Sequence, residues 1–252
     1  MQASIIVTGM VLSAMPVGDY DKRLVILTRE LGKITAFAKG ARRPNSALLA
    51  CSQPFTFGEF TLYAGRSSYN IMSSEISNYF PELRNDIESL YYGLYFCEFA
   101  DFVTKENNDD KEILKLLYQT LRIVTKKTIS LPLIRAIFEL KMVALGGEAP
   151  QVFMCVKCQK ESQEQEPLLG YRFSIENGGI LCETCQKSDR SAIKLSTSTL
   201  YSMQYIISSS IIKLYTFTVT DEILEELVRC IRHYLKCYID HEFKCLELIK
   251  TL

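Results

Sequence analysis

Two Cys-x-x-Cys pairs constrain what this chain can fold into more than any other feature. The pairs, Cys155–Cys158 and Cys182–Cys185, are separated by 23 residues. The spacing within each pair lets two thiolates bind one ion, and the gap accommodates a hairpin that brings the two pairs together. Four sulfur ligands with no histidine nearby favour a tetrahedral zinc site in which the protein fills every position. Such a site stabilises a fold and leaves no position for a reacting water.

Other uses of paired cysteines stay open at this point. Disulfides, a redox dithiol and an iron–sulfur cluster all use such pairs, and the 23-residue gap is slightly longer than the usual zinc-ribbon spacing. However, the total of nine cysteines is odd, and no basic lead-in to a secretory signal precedes Gly18. We therefore expect a reduced, cytoplasmic protein with one structural zinc ion. The remaining cysteines lie in apolar or helical surroundings: Cys51, Cys97, Cys230, Cys237 and Cys245.

Charge is distributed unevenly along a chain whose formal net charge is zero. The segment from Asp19 to Arg43 contains seven basic residues and three acidic ones, so the N-terminal region is locally positive. The chain is 48% hydrophobic and 23% charged over 252 residues, which is typical of a globular protein with more than one folded unit. No uncharged stretch is apolar enough to predict a membrane span.

The pattern of apolar residues predicts an α+β multidomain protein. Up to residue 80, five short β-rich stretches separated by turns favour a small barrel. Beyond Pro81 the period becomes helical, with one predicted helix face formed by Ile87, Leu90, Tyr91, Leu94, Tyr95 and Phe102. We predict a barrel at 1–80, a helical domain at 81–150 and 189–252, and an embedded cysteine module at 151–188. The last helix is predicted from Asp221 to Lys250.

No catalytic constellation is recognisable in the sequence. The two histidines, His233 and His241, fall on the predicted last helix without an acid–nucleophile pattern around them. The H-E-x-x-H, G-x-S-x-G and phosphate-binding-loop motifs are absent. We therefore expect a protein that is not an enzyme.

The positive N-terminal region suggests nucleic-acid binding by the predicted barrel. Small barrels of the OB type bind single strands with cations along the phosphates and aromatic rings against the bases. Tyr20, Phe37 and Tyr69 are candidate stacking platforms. The alternative is that Phe37 and its neighbours fill the barrel while the charges only keep it soluble. The cationic candidates are Lys22, Arg23, Arg29, Lys33, Lys39, Arg42, Arg43 and Arg66.

Several segments, in order along nearly the whole chain, resemble the RecO family of bacterial recombination mediators. They include Ala38–Pro44 (AKGARRP) and Phe138–Gly146 (FELKMVALG), and the most specific parts are Lys39–Pro44 and the cysteine module that follows the Phe138 helix. The tail beyond Ser188 matches only loosely. The other matching segments are Gly9–Ser13, Gly18–Asp21, Leu24–Gly32, Pro54–Phe60 and Phe80–Arg84.

The resemblance implies an N-terminal OB-fold domain, a helical domain and an embedded zinc module. It also implies binding of single- and double-stranded DNA, annealing of complementary strands and, with RecR, loading of RecA onto DNA coated by single-strand-binding protein. The acidic, apolar tail of that coating protein would bind the helical domain, and Arg135 and Lys141 are weak candidates for receiving it. The zero net charge departs from the basic character expected of such a protein. A protein-interaction adaptor and an RNA-binding accessory factor remain the alternatives.

Overall fold

The computed structural model describes residues 4–65, 68–162, 170–239 and 241–249. The chain forms two compact units. One runs to Thr128 and also includes the segment from Phe243 onward, and the other is Ile129–Glu242. The predicted division at residues 80, 150 and 188 stays a prediction.

Five strands form a closed barrel in the first unit, as predicted from the sequence. They are β1 (Ser4–Val17), β2 (Asp21–Thr28), β3 (Gly32–Ala38), β4 (Phe57–Ala64) and β5 (Tyr69–Asn78). Their order around the barrel is β1-β2-β3-β5-β4, with β1 pairing β4 and a short parallel pairing of β3 with β5. This is the arrangement of a five-stranded OB-type barrel. The predicted fold class is therefore confirmed.

Alternation along β3 explains which side chains fill the barrel. Ile34, Ala36 and Ala38 are buried, whereas Thr35 and Phe37 are only half-buried on the outer face. Because successive strand residues point to opposite faces, the short side chains at 36 and 38 leave room for larger ones from other strands. Phe37 lies on the outer face, so the interpretation of Phe37 as a barrel-filling residue was wrong. The barrel core includes Val7, Val11, Leu24, Ile26, Phe60, Leu62 and Ile71.

Where the structure describes the first unit, three helices complete it: α1 (Ile87–Val103), α2 (Lys111–Lys126) and, after the second unit, α6 (Lys244–Ile249). A 3-10 helix lies at Pro81–Asn85. The predicted helix is confirmed as α1, but its predicted apolar face is not the buried one. Of its six residues only Tyr95 is fully buried, and Ile87 is 59% exposed. Helix α1 contacts strand β1, helix α2 and helix α6, so apolar residues are needed around the helix and no single face follows the period.

The described part of the second unit contains three helices and the cysteine module. The helices are α3 (Leu131–Leu145), α4 (Thr197–Ser208) and α5 (Asp221–Tyr238), and 3-10 turns lie at Cys185–Ser188 and Ile211–Lys213. Strands β6 (Arg172–Ser174), β7 (Gly179–Leu181) and β8 (Ile193–Lys194) form a small sheet in the order β7-β6-β8. The predicted hairpin within the module is confirmed. Among the described residues, no helix is long and apolar enough to cross a membrane.

The prediction of one continuous last helix from Asp221 to Lys250 was wrong. Helix α5 ends at Tyr238, and His241 lies outside both α5 and α6. Within the first unit, the ring of Phe243 stacks on Phe99 at a centroid distance of 4.8 Å. The carboxylate of Glu98 accepts hydrogen bonds from the backbone N–H groups of Lys244 and Cys245. These long-range contacts start a new helix, and the local period gives no signal for them.

Candidate metal centre and nucleic-acid interface

The four cysteines of the two predicted pairs come together in the second unit. Their Sγ atoms all lie within 4.8 Å of one another, and Cys158 Sγ is 3.7 Å from Cys182 Sγ. A regular tetrahedron with metal–sulfur bonds of about 2.3 Å places neighbouring sulfurs about 3.8 Å apart. All nine cysteines of the chain are free thiols. The cluster therefore has the dimensions of a four-sulfur metal site, and the disulfide interpretation is not supported.

Backbone N–H groups stabilise the thiolate form of Cys155 in this cluster. Burial raises the pKa of the Cys155 thiol, but N–H groups of Cys158, Cys182 and Lys157 outweigh burial and lower that pKa to about 6. The bond from Cys182 N to Cys155 Sγ is 3.4 Å long. In contrast, hydrogen bonding to Cys182 raises the pKa of Cys185 to about 12. Four thiolates this close repel one another, so the cluster ionises completely only around a cation.

Short strands and turns position the cysteine pairs. In the first turn, Cys155 N donates to Lys160 O at 2.9 Å and Gln159 N to Cys155 O at 2.8 Å. This turn is joined to β7 by the bond from Val156 N to Ile180 O at 3.0 Å. Strand β7 ends at Leu181, immediately before the second pair. The hairpin therefore places Cys182 next to the first turn. The spacing between the cysteine pairs predicted this arrangement.

Helices α4 and α5 support the module from within the second unit. Buried Gln204 on α4 donates to Val152 O at 2.7 Å and to Ser162 Oγ at 2.9 Å. On α5, Tyr234 packs against Phe173 with ring centroids 5.8 Å apart. The sequence offered no signal for Gln204, because it is one of several polar residues on its helix. The cysteine module is thus packed against the helices of its unit.

Four of the predicted cationic residues lie together and exposed at one end of the barrel. Arg23 is on β2, and Lys39, Arg42 and Arg43 are in the turns after β3. The guanidinium of Arg43 lies 5.1 Å from the ring centroid of Tyr20, which is 49% exposed. We call these four cations and Tyr20 the basic edge. The arrangement offers positive charge beside an accessible aromatic ring, as single-strand binding requires.

Backbone contacts hold the two segments of the basic edge together. Arg42 N donates to Tyr20 O at 2.8 Å, and Gly40 N donates to the carboxylate of Asp21 at 2.7 Å. The Arg42 side chain donates to Gly18 O at 3.2 Å. The β1–β2 turn and the turns after β3 therefore form one surface. Asp21 carries a negative charge in this region, but its carboxylate is used to fix the loop.

An outward-facing row extends the basic edge across four strands. Met15 pairs with Arg23, Arg23 with Phe37, and Phe37 with Asn70. Met15 is 54% exposed, and Phe37 is half-buried. Neighbouring side chains on one sheet face lie about 5 Å apart, so these residues form a continuous strip. Met15 and Asn70 were not among the predicted site residues, because their position depends on strand register.

Three other predicted cations are engaged in contacts within the first unit. Lys22 Nζ donates to Ser52 O at 2.9 Å, and desolvation lowers the pKa of Lys22. Arg29 pairs with Glu30 at 2.8 Å, and Lys33 pairs with Asp101 at 2.9 Å. Arg66 lies outside the described residues. The role of these four in binding nucleic acid stays a prediction.

Comparisons with known proteins cover almost the whole chain. Residues 1–80 match the family described as Recombination protein O N terminal, and residues 84–247 match Recombination protein O C terminal. A DNA repair protein RecO from Alkaliphilus metalliredigens is 34% identical, covering 97% of this chain and 98% of the relative. The protein of the same description from Symbiobacterium thermophilum is 32% identical, covering 98% and 96%. The chain belongs to the RecO family. The resemblance inferred from the sequence is thus confirmed.

The two residues that the RecO resemblance suggested for partner binding have internal contacts. Arg135 Nε donates to Glu139 at 2.7 Å, and the Arg135 side chain is 17% exposed. Lys141 is buried, and its Nζ donates to Ile207 O at 2.8 Å and Ser209 O at 2.7 Å, at the end of α4. A cation at these carbonyls stabilises the helix C-terminus. Both residues therefore have a structural role, and partner binding stays a prediction.

Proposed function

We propose that this RecO-family chain is a DNA repair protein that mediates homologous recombination. It binds single- and double-stranded DNA, anneals complementary strands and, with RecR, helps to load RecA onto DNA coated by single-strand-binding protein. The observation that carries the proposal is the basic edge on an OB-type barrel in a chain of this family. It acts in the bacterial cytoplasm, at the nucleoid.

The physical basis of annealing is charge neutralisation. The cations of the basic edge bind phosphates of both strands and reduce their mutual repulsion, so that base pairing can nucleate. Tyr20 and the half-buried ring of Phe37 offer faces for unpaired bases, each worth about 1–3 kcal/mol. Base pairing supplies the free energy of the reaction. The proposed activity therefore needs neither nucleotide hydrolysis nor a catalytic residue of this chain.

We further propose that the four-cysteine cluster holds one structural Zn²⁺. The ligands are Cys155, Cys158, Cys182 and Cys185, whose sulfur spacing fits a tetrahedral ion. The ion would supply a fixed cross-link between the two turns, with all four positions taken by protein. The residues of the chain orient the sulfurs through backbone N–H groups and the β6–β7 hairpin.

We propose that the tail of single-strand-binding protein contacts the surface around Arg135. The partly exposed guanidinium of Arg135 supports this, whereas the buried ammonium of Lys141 contributes through the position of α4. Arg135→Gln is expected to weaken binding of a peptide with the tail sequence. A matched control is Arg122→Gln on α2, in the other unit. Equal binding by both variants would contradict this contact.

The experiment that tests the main proposal is annealing of complementary oligonucleotides, bare and coated with single-strand-binding protein. Wild-type protein is expected to accelerate both reactions without a nucleotide cofactor, and Arg42→Ala/Arg43→Ala is expected to lose most of this acceleration. Absence of annealing by the folded wild type would refute the proposal. Binding to RNA in preference to DNA of the same length would instead favour an RNA-binding accessory factor.

A further inference from the structure

A cleft of about 360 Å³ opens on the outer face of strands β2 and β3. This volume is near the lower end of the range for small-ligand sites. The half-buried ring of Tyr69 lies on one side, and Arg23, which belongs to the basic edge, lines another part. Two carboxylates, those of Asp101 and Glu106, also line the cleft. Proximity to the basic edge places this cleft beside the proposed DNA path.

The barrel fixes the Asp101 carboxylate and the backbone that carries Glu106. Asp101 is paired with Lys33 Nζ at 2.9 Å, and the same ammonium donates to the backbone carbonyl of Asp101. Glu106 forms a backbone bridge with Gly32, flanked by the bond from Lys33 N to Lys105 O at 3.1 Å. A Cβ at position 32 would lie 2.5 Å from the Lys105 carbonyl oxygen, so only glycine permits this approach. The Asp101 carboxylate and the backbone at Glu106 are therefore positioned before a ligand arrives.

A carboxylate beside a DNA path is unfavourable for phosphates but useful for a base. Ionised carboxylates only accept hydrogen bonds. Cytosine and adenine present exocyclic amino groups that donate, whereas thymine presents one N–H between two carbonyl oxygens that a carboxylate repels. Unpaired bases expose these edges and stack on aromatic rings. An aromatic ring, a nearby cation for the phosphate and two acidic residues together match an unpaired amino-bearing base.

We propose that this cleft is a binding site for one unpaired nucleobase of single-stranded DNA, with preference for bases that carry an amino group. Tyr69 contacts the face of the base, Glu106 and Asp101 accept from its amino edge, and Arg23 binds the adjacent phosphate. This inference rests on the proposed DNA-binding function and adds base selectivity to it.

The test compares binding of oligo-dC, oligo-dA and oligo-dT of about 15 nucleotides, within the site size of one OB fold. Fluorescence anisotropy is measured for wild type, Glu106→Gln and the control Glu82→Gln, which removes an exposed carboxylate outside the cleft. Homopolymers differ in stiffness, so the decisive quantity is the change in the dC-to-dT affinity ratio on substitution. Glu106→Gln is expected to lower that ratio about fivefold, and likewise the dA-to-dT ratio. Glu82→Gln leaves both ratios unchanged.

Two results would overturn the base site while preserving the proposed function. One is an unchanged ratio in Glu106→Gln. The other is a uniform gain in affinity for all three oligonucleotides, which would show that Glu106 only repels phosphate. In both cases Arg42→Ala/Arg43→Ala still weakens binding. Failure of the wild type to bind any single strand would refute the proposed function, and the base site with it.

Discussion

The barrel and the cysteine module place their functional groups in opposite ways. Barrel strands β1 to β5 are seven to fourteen residues long and close around an apolar core, and the basic edge is exposed outside it. In the module, strands β6, β7 and β8 have only two or three residues, and Cys155 and Cys182 are buried. The barrel is stabilised by its own packing, whereas the proposed zinc ion would stabilise the module.

Because of this difference, DNA binding and folding stability can be changed separately in the barrel but not in the cysteine module. Long alternating strands bury enough apolar area to fold independently of the charges on their surface. Three very short strands do not, and a structural metal commonly replaces the missing core. We therefore expect substitutions in the basic edge to change binding without changing folding. Substitutions in the cysteine cluster should change folding first.

The largest expected effect comes from Cys155→Ser/Cys182→Ser. Removing two thiolates abolishes metal binding, and the second unit loses several kcal/mol of stability because metal binding and folding are coupled. Metal analysis is expected to give one zinc per chain for wild type and none for the variant, with lower thermal stability. Cys237→Ser, an exposed cysteine on α5, serves as the control. A metal-free variant that retains wild-type stability would contradict the claim that the ion stabilises the second unit.

The next largest effect is expected in the basic edge. Arg42→Ala/Arg43→Ala should lower single-strand affinity about tenfold at moderate salt, because two phosphate contacts and their released counterions are lost. The slope of log affinity against log salt should flatten, while the denaturation midpoint stays unchanged. Titrations at several salt concentrations, with chemical denaturation in parallel, measure both quantities. An unchanged slope would show that these arginines do not contact phosphate.

A smaller effect is expected from a carboxylate inside the module. Asp189 accepts hydrogen bonds from Ser174 Oγ and from Ser191 N and Oγ, and the Ser174 bond in particular lowers the pKa of Asp189. Asp189→Asn should reduce the free energy of unfolding by about 1 kcal/mol at neutral pH. Because the folded pKa is depressed, this contribution is present above the ordinary carboxyl pKa of about 3.9 and is lost as pH falls through the lower folded value. Denaturation at neutral and acid pH measures it, and a destabilisation independent of pH would contradict this account.

The smallest effect separates the paired cations from the basic edge. Lys33→Met removes the ion pair with half-exposed Asp101 and should cost about 1 kcal/mol or less. Its effect on affinity for oligo-dT should be less than that of Lys39→Met, whose exposed ammonium lies in the basic edge. Binding and denaturation measurements on both variants check this. A larger affinity loss for Lys33→Met would show that the paired ammonium contributes more to binding than the basic edge.

Much of the fold and part of the site could be predicted because their signals are local. Short β-rich stretches between turns identified the five barrel strands, and the helical period identified α1. The paired spacing identified the four cysteines that the structure brings together. The buried face of α1 could not be predicted, since elements distant in sequence surround that helix. The end of α5 was missed for a related reason: Phe243 is buried by α1, which no nearby residue indicates.

The sequence by itself determined which residues are chemically able to act: four thiols in two close pairs and a cluster of cations near the N-terminus. Only the tertiary structure decided which cations are available. Arg23, Lys39, Arg42 and Arg43 are exposed together, whereas Arg29 and Lys33 face carboxylates that strand pairing and helix packing bring to them. The physical reason is that charge is a property of a residue, but its neutralisation depends on neighbours that the fold supplies. For the cysteines, spacing within each pair is local, and the β6–β7 hairpin brings the pairs together.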